Sequence, residues 1–175
     1  GTGPMTIYNH VTSREDLDVL VVEAVMGRAQ RSPVRHDDWR DEVRDLATAS
    51  WRAVRAHPKA IPLILTRRSR SHAMLEISEA LLEAIARSGR SRRQLLIAFR
   101  AVTALVMGFA QAELAGPLAG EAGEPAAEVI ARFRGLPKRR YPRLVEIANA
   151  AVTSDPEVEF RRGLDLLLDG LAAGG

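Results

Sequence analysis

Apolar residues recur along the chain at three- and four-residue spacing, and no segment alternates strictly with β-branched residues. That period belongs to helices. The first such segment, Pro4 to His10, is short, and proline suits a helix's first turn, where its missing N–H costs nothing. A second helix is expected from Thr12 or Ser13, because Asp16 follows Ser13, and Glu15 follows Thr12, at capping-box spacing. It carries Leu17, Leu20, Val21, Val25 and Met26, and Pro33 stops it. A third runs from Asp37 or Asp38 through Trp39, Val43, Leu46, Ala47, Ser50 and Val54 to His57, before Pro58. A short segment, Ile61 to Thr66, precedes an arginine-rich loop at Arg67, Arg68 and Arg70. Ser71 to Ser88 is again amphipathic, with Gly89 as its stop. Ser91 caps the longest helix, which reaches about Ala115 and is apolar over most of its circumference. Residues 116–125 hold three glycines and two prolines and read as a loop. Weaker helical segments follow at 126–134 and 142–152, and a last helix runs from Asp155-Pro156 to about Ala173. The pattern predicts an all-α fold of about eight or nine helices, too many for a simple four-helix bundle.

Composition narrows the classes. The chain has 175 residues, 46% apolar and 27% charged, which fits one ordinary globular domain, or one plus a fragment. Cysteine is absent, which excludes disulfides, thiolate metal sites and cysteine nucleophiles. The best apolar run, Ala101 to Ala112, is flanked by Arg100 and Glu113 and reads as too short to cross a bilayer. The first residues lack the basic start and apolar stretch of a signal peptide, so the expected compartment is the cytoplasm, with no membrane partner. A net charge of +3 is too small by itself to indicate nucleic acid. Only Lys59 and Lys138 are lysines among the 25 basic residues, which reads as the composition of a GC-rich bacterial genome.

Catalytic chemistry has little footing. His10, His36, His57 and His72 lack the four-residue spacing of a zinc site, and no phosphate loop, dinucleotide fingerprint or nucleophile elbow is present. Neither a metal, a cofactor nor an enzyme activity is expected. His57 reads as a helix-end residue whose partly positive ring suits the dipole. Three arginine clusters, at 67–70, 87–93 and 138–143, read as solvated.

The sharpest feature is the N-terminal segment Thr6-Ile7-Tyr8-Asn9-His10-Val11, followed by Arg14 in the next helix's first turn. Hydroxyl, phenol, amide and imidazole groups on one short helix suit phosphate oxygens and base edges. A solvated helix end is the other reading of the same residues. This segment resembles the recognition helix, and the start of the following helix, in the tetracycline-repressor (TetR) family of bacterial regulators. There the pattern is Thr-Leu-Tyr-x-His-Val, then a polar cap and a basic residue before Leu-Leu. Arg14 and Leu17 fall where the family has its basic phosphate contact and its first apolar helix residue. Phe160 to Leu171, and Tyr141 to Leu144 ahead of it, resemble the end of the family's C-terminal domain.

The resemblance implies a multi-helix effector-binding and dimerisation domain, residues 15–175, preceded by a partial helix-turn-helix, residues 1–14. It implies operator DNA as a partner of the intact protein, through Thr6, Tyr8, Asn9, His10 and Arg14, with Gly3, Pro4 and Met5 at positions that vary with operator sequence. The family's reader has two helices before the recognition helix, and this sequence starts at the recognition helix. The expectation is therefore part of a longer product that binds DNA poorly by itself. Family members are homodimers. Their dimer surface would here fall on Phe99, Val102, Val106 and Phe109, with Ala110 beside them, and on Gly163, Leu164, Leu167, Leu168 and Leu171 of the last helix, unless both helices are simply core. A small-molecule effector would sit against Leu46, Ser50, Trp51, Leu63, Thr66, Thr103, Met107 and Gln111. For two of these the alternatives are that Thr103 bonds back within its helix and that Gln111 faces solvent. The family's founding member holds a drug-bound magnesium with a His and a Thr. Leu63 and Thr66 fall at those positions, and Leu46 falls near an asparagine that touches the drug, so magnesium-tetracycline is not the expected effector. A ligand-responsive repressor is the implied function; a helical ligand-binding or dimerisation module without DNA binding is the alternative.

Overall fold

The computed structural model describes residues 13–29, 36–115 and 124–173. They form eight α-helices and two 3₁₀ turns, and no strand occurs among the described residues. The segment carrying Thr6, Tyr8, Asn9 and His10 lies outside the described residues.

Caps set most of the helix starts. Helix α1 (Arg14–Met26) begins at Ser13, whose hydroxyl accepts the Asp16 N–H at 3.1 Å. It ends at Met26, earlier than Pro33 predicts, with the Gly27 N–H closing the last turn on the Glu23 carbonyl. Helix α2 (Trp39–Ala56) begins at Asp38, whose carboxylate accepts the Arg40 N–H at 2.9 Å. Helix α3 (Ile61–Arg67) follows a 3₁₀ turn at Pro58–Ala60. The expected arginine loop is instead a second 3₁₀ turn, Arg68–Arg70. Helix α4 (His72–Ala86) follows it at once, so little chain is available and the connection tightens. After α4, Gly89 adopts φ +76°, a backbone region that residues with a Cβ disfavour. Helix α5 (Arg92–Ala115) opens with a capping box, in which Ser91 Oγ accepts the Gln94 N–H at 3.4 Å and Gln94 Oε1 accepts the Ser91 N–H at 3.0 Å. Helices α6 (Ala126–Arg134), α7 (Pro142–Ala151) and α8 (Pro156–Ala173) complete the chain.

Helix α2 is the central element and packs against α1, α4, α5 and α8. Its Trp51 is fully buried and stacks on Phe160 of α8, with ring centroids 4.8 Å apart and planes 5° apart. Phe109 of α5 meets Phe160 edge-on at 5.6 Å. Offset stacked and edge-to-face pairs suit the ring quadrupole, so three aromatic rings tie three helices together. Gly163 lets α8 approach α5, since a Cβ there would lie 3.0 Å from Phe109 Cζ. Helices α6 and α7 pack chiefly on each other, through Val129, Val145 and Ala148.

Helix α5 corrects one expectation. From Arg92 to Ala112 it is long and apolar enough to cross a membrane by length and composition. Arg100 does not end the apolar stretch, because one face continues past it. Ala98, Val102, Val106 and Ala110 on that face are buried within the chain.

Candidate ligand cavity

A cavity of about 810 Å³ opens between α2, α3, α4 and α5. Such a volume lies in the usual range for sites that take drug-sized molecules. Its floor is made by buried apolar side chains, among them Met26, Ala47, Val54, Ile64, Leu81 and Val106. Its mouth carries exposed residues: Leu65, Arg68 and Ser69 on one side, Leu75 and Glu79 on another, Leu96 and Arg100 on the third.

Four of the eight residues expected at a ligand line this cavity: Leu46, Ser50, Thr103 and Met107. The Ser50 hydroxyl donates to the Leu46 carbonyl at 2.8 Å, and the Thr103 hydroxyl to the Phe99 carbonyl at 2.9 Å. A hydroxyl has one proton and two lone pairs. With the protons spent inside the helices, these two oxygens can accept from a ligand but not donate to it. The back-bonding alternative for Thr103 and the lining role are therefore compatible.

The other four sit elsewhere. Trp51 does not line the cavity and belongs to the aromatic core with Phe160. Leu63 packs half-buried against the core without lining the cavity. Thr66 is exposed and donates to the Pro62 carbonyl at 2.8 Å. Gln111 is exposed, one turn beyond Met107 and outside the cavity lining. Sequence reasoning missed the α4 wall, including Met74, Leu75, Ile77 and Leu82, and also missed Phe99 as a liner. The signal was there in Met74 and the leucines of α4, whose apolar positions exceed what one buried stripe requires.

The dimer residues also divide. Val102, Val106, Leu164 and Leu168 are buried inside the chain, and Ala110 with them. Phe109 covers Phe160 and Gly163, Leu167 and Leu171 are half-buried against the same core, and Phe99 lines the cavity. The leucine stripe of α8 thus serves its own chain. The outward faces of α5 and α8 are offset from that stripe and carry Ile97 and Leu166.

Beyond the mouth, the Arg68–Arg70 turn is tied to α1. Arg67 lies 3.6 Å from Asp18 and 4.0 Å from Glu15, and Arg70 lies 3.5 Å from both Glu15 and Asp16. A second tie is neutral-to-acidic. Glu23 of α1 accepts the Ser71 hydroxyl at 2.6 Å and the Ala73 N–H at 3.0 Å, which holds α1 to the start of α4. The Ser71 hydroxyl is the largest cause holding the Glu23 carboxyl below its ordinary pKa; burial opposes it and the Ala73 N–H adds to it. Arg14, the described member of the expected DNA-contacting set, is exposed in the first turn of this same helix.

The arginines expected to be solvated are therefore partly structural. Arg67 and Arg70 join the ties above. Arg87 pairs with Glu42 at 2.6 Å and donates to the His36 and Asp37 carbonyls at 2.7 Å each, which fixes the entry to α2. His57 ends α2 as its C-cap, the helix-end position expected of it, and its Nε2 accepts from Arg28 at 2.6 Å. No group of three or more His, Asp or Glu able to hold a metal occurs among the described residues.

Residues 32–174 match a family model, the tetracyclin repressor-like C-terminal domain. An HTH-type transcriptional regulator from Saccharopolyspora erythraea is 30% identical over 168 residues, covering 96% of this chain and 70% of that protein. This chain belongs to the TetR family of transcriptional regulators. A TetR regulator from Streptomyces coelicolor superposes with a TM-score of 0.74 at 25% identity, over 98% of this chain and 83% of that one. The S. coelicolor TetR-family protein ActR, solved in complex with actinorhodin, superposes with a TM-score of 0.73 at 21% identity, over 99% and 82%. The last likeness concerns the fold. The all-α architecture and the family membership inferred from the two ends of the sequence are thus both established.

Proposed function

We propose that this chain is the effector-binding and dimerisation part of a ligand-responsive DNA-binding repressor that acts in the cytoplasm. The observation that carries the proposal is the mouth of the cavity: the turn that borders it is bonded through Arg67 and Arg70 to Glu15, Asp16 and Asp18 in the N-terminal part of α1. That part of α1 follows directly on the sequence resembling a recognition helix. A ligand that binds one arrangement of the turn better than another shifts the population of α1 positions by its differential affinity. In the intact dimer, Thr6, Tyr8, Asn9, His10 and Arg14 contact operator DNA, and effector binding moves the two readers off operator spacing. ActR with actinorhodin supports a small molecule as the signal in a protein of the same fold.

The outward apolar residues of α5 and α8 support dimerisation through those two helices. Ile97 is 57% exposed and Leu166 77% exposed in the single chain, and large apolar groups so placed mark an interaction surface.

The test is DNA binding by the full gene product and by this chain, side by side, on DNA flanking the gene, at two salt concentrations. Binding by the full product alone, weakening steeply with salt, supports the repressor reading and its phosphate contacts. Tight, specific operator binding by the 175-residue chain overturns the expectation that this segment binds poorly alone. No binding by either favours a ligand-binding module without a DNA role.

A further inference from the structure

We infer that the effector is an acid: a drug-sized apolar molecule whose carboxylate, or comparable anion, is held between Arg68 and Arg100 at the cavity mouth. The inference rests on the reading of this cavity as the effector site and adds the chemical class of the ligand.

Two arginines reach the cavity from different elements, Arg68 from the turn after α3 and Arg100 from α5. Other arginines around them are engaged: Arg67 and Arg70 with α1, and Arg87 with Glu42. Among the described residues, no hydrogen bond or ion pair engages the guanidinium of Arg68 or of Arg100. Both are exposed at the mouth, while the floor beneath them is apolar. A guanidinium fork matches a carboxylate in shape and charge, and two forks from separate elements fix its position. The Ser50 and Thr103 oxygens, with their protons spent, suit hydroxyl or N–H donors on the body of the same molecule.

Glu79 also lines the cavity and is the competing charge. It sits on the side shared with a smaller cavity of about 480 Å³, where Glu76 and Glu83 gather as well and where neither arginine reaches. Glu76 and Glu83 thus lie outside the larger cavity, and Glu79 is shared between the two. The anion is assigned to the larger cavity, because its volume accepts a drug-sized body and its net charge from Arg68, Arg100 and Glu79 is positive.

The experiment uses three fluorescent probes of one shape on the purified chain: 1-pyrenebutyrate, 1-pyrenebutanol and 4-(1-pyrenyl)butylamine. The expected result is butyrate binding about tenfold tighter than butanol, a difference of about 1.4 kcal/mol. The preference narrows as salt rises, because the pair is partly exposed. R68Q and R100Q each reduce the preference and together abolish it, with butanol affinity changed less than twofold and the thermal midpoint unmoved. Equal binding of butyrate and butanol overturns the acid but leaves the cavity as the effector site. Tighter amine binding overturns it in favour of Glu79. If none of the probes binds, or if S50W leaves their binding unchanged, the acid and the cavity reading fall together.

Discussion

The Ser71 hydroxyl donates to Glu23 at 2.6 Å while accepting the Met74 N–H at 3.3 Å. One fully buried oxygen thus caps α4 and binds α1 to it. Alanine at this position removes the cap, at about 0.5–2 kcal/mol, and leaves a carboxylate short of a donor. S71A is expected to cost about 2 kcal/mol in urea unfolding. A midpoint equal to that of the unsubstituted protein would show that the tie does not exist in solution.

The same tie makes stability depend on pH. The folded Glu23 carboxyl titrates below its unfolded value, so the unfolded state binds more protons across the window between them. The stabilisation is complete above the unfolded value, about 4.3, and is lost as pH falls through the folded value beneath it. E23Q is expected to be less stable near pH 7 and to lose less on acidification to pH 3. Parallel curves for the two proteins would contradict this. Glu157, lowered by its hydrogen bond with Arg52, acts in the same direction and is untouched in both proteins.

The Arg67 and Arg70 pairs are partly exposed, and exposed pairs contribute little to global stability. R67Q/R70Q is therefore expected to shift unfolding by under about 1 kcal/mol. Its effect is expected locally, as faster amide hydrogen exchange in the second turn of α1, residues 17–20, while α2 stays protected. Local opening can be far cheaper than global unfolding. Unchanged exchange in α1 would mean that the tie through Glu23 alone holds this helix.

The aromatic core predicts a larger effect. F160A removes a fully buried ring that touches both Trp51 and Phe109, and is expected to cost about 3–5 kcal/mol. W51F should cost less, because the buried Trp51 Nε1 has no hydrogen-bond partner to lose. An order of stability with W51F below F160A would place the core's centre elsewhere.

How much of this was readable beforehand follows from the range of each interaction. Ser13, Asp38, Ser71 and Ser91 act within three residues, so sequence spacing located the helix starts to within a residue or two. Glu23 to Ser71 and Arg87 to Glu42 join residues 48 and 45 apart, and no local pattern announces them. Helical periodicity finds a face but not what it meets. Trp51 and Leu46 both read as inward residues of α2, yet one meets Phe160 and the other the cavity. The arginine clusters divided for the same reason: Arg67, Arg70 and Arg87 are paired while Arg68, Arg92 and Arg139 are exposed, and a solvated guanidinium and a paired one look alike in a string of letters.

Leu166 carries the last prediction. It lies on α8 between buried Leu164 and Leu168, yet it is 77% exposed and supports none of the chain's own core. Nearby Gly170 has no atom within 4 Å of where a Cβ would stand, so that side of the helix is open. A charge at Leu166 should therefore cost the single chain almost nothing, whereas in a dimer through α8 it would be buried without a partner, which is expensive. L166E is expected to convert a dimer to a monomer in analytical ultracentrifugation, with helical content unchanged. L164E, placed in the chain's own core, should instead unfold the protein. A dimer that survives L166E moves the interface away from this face of α8.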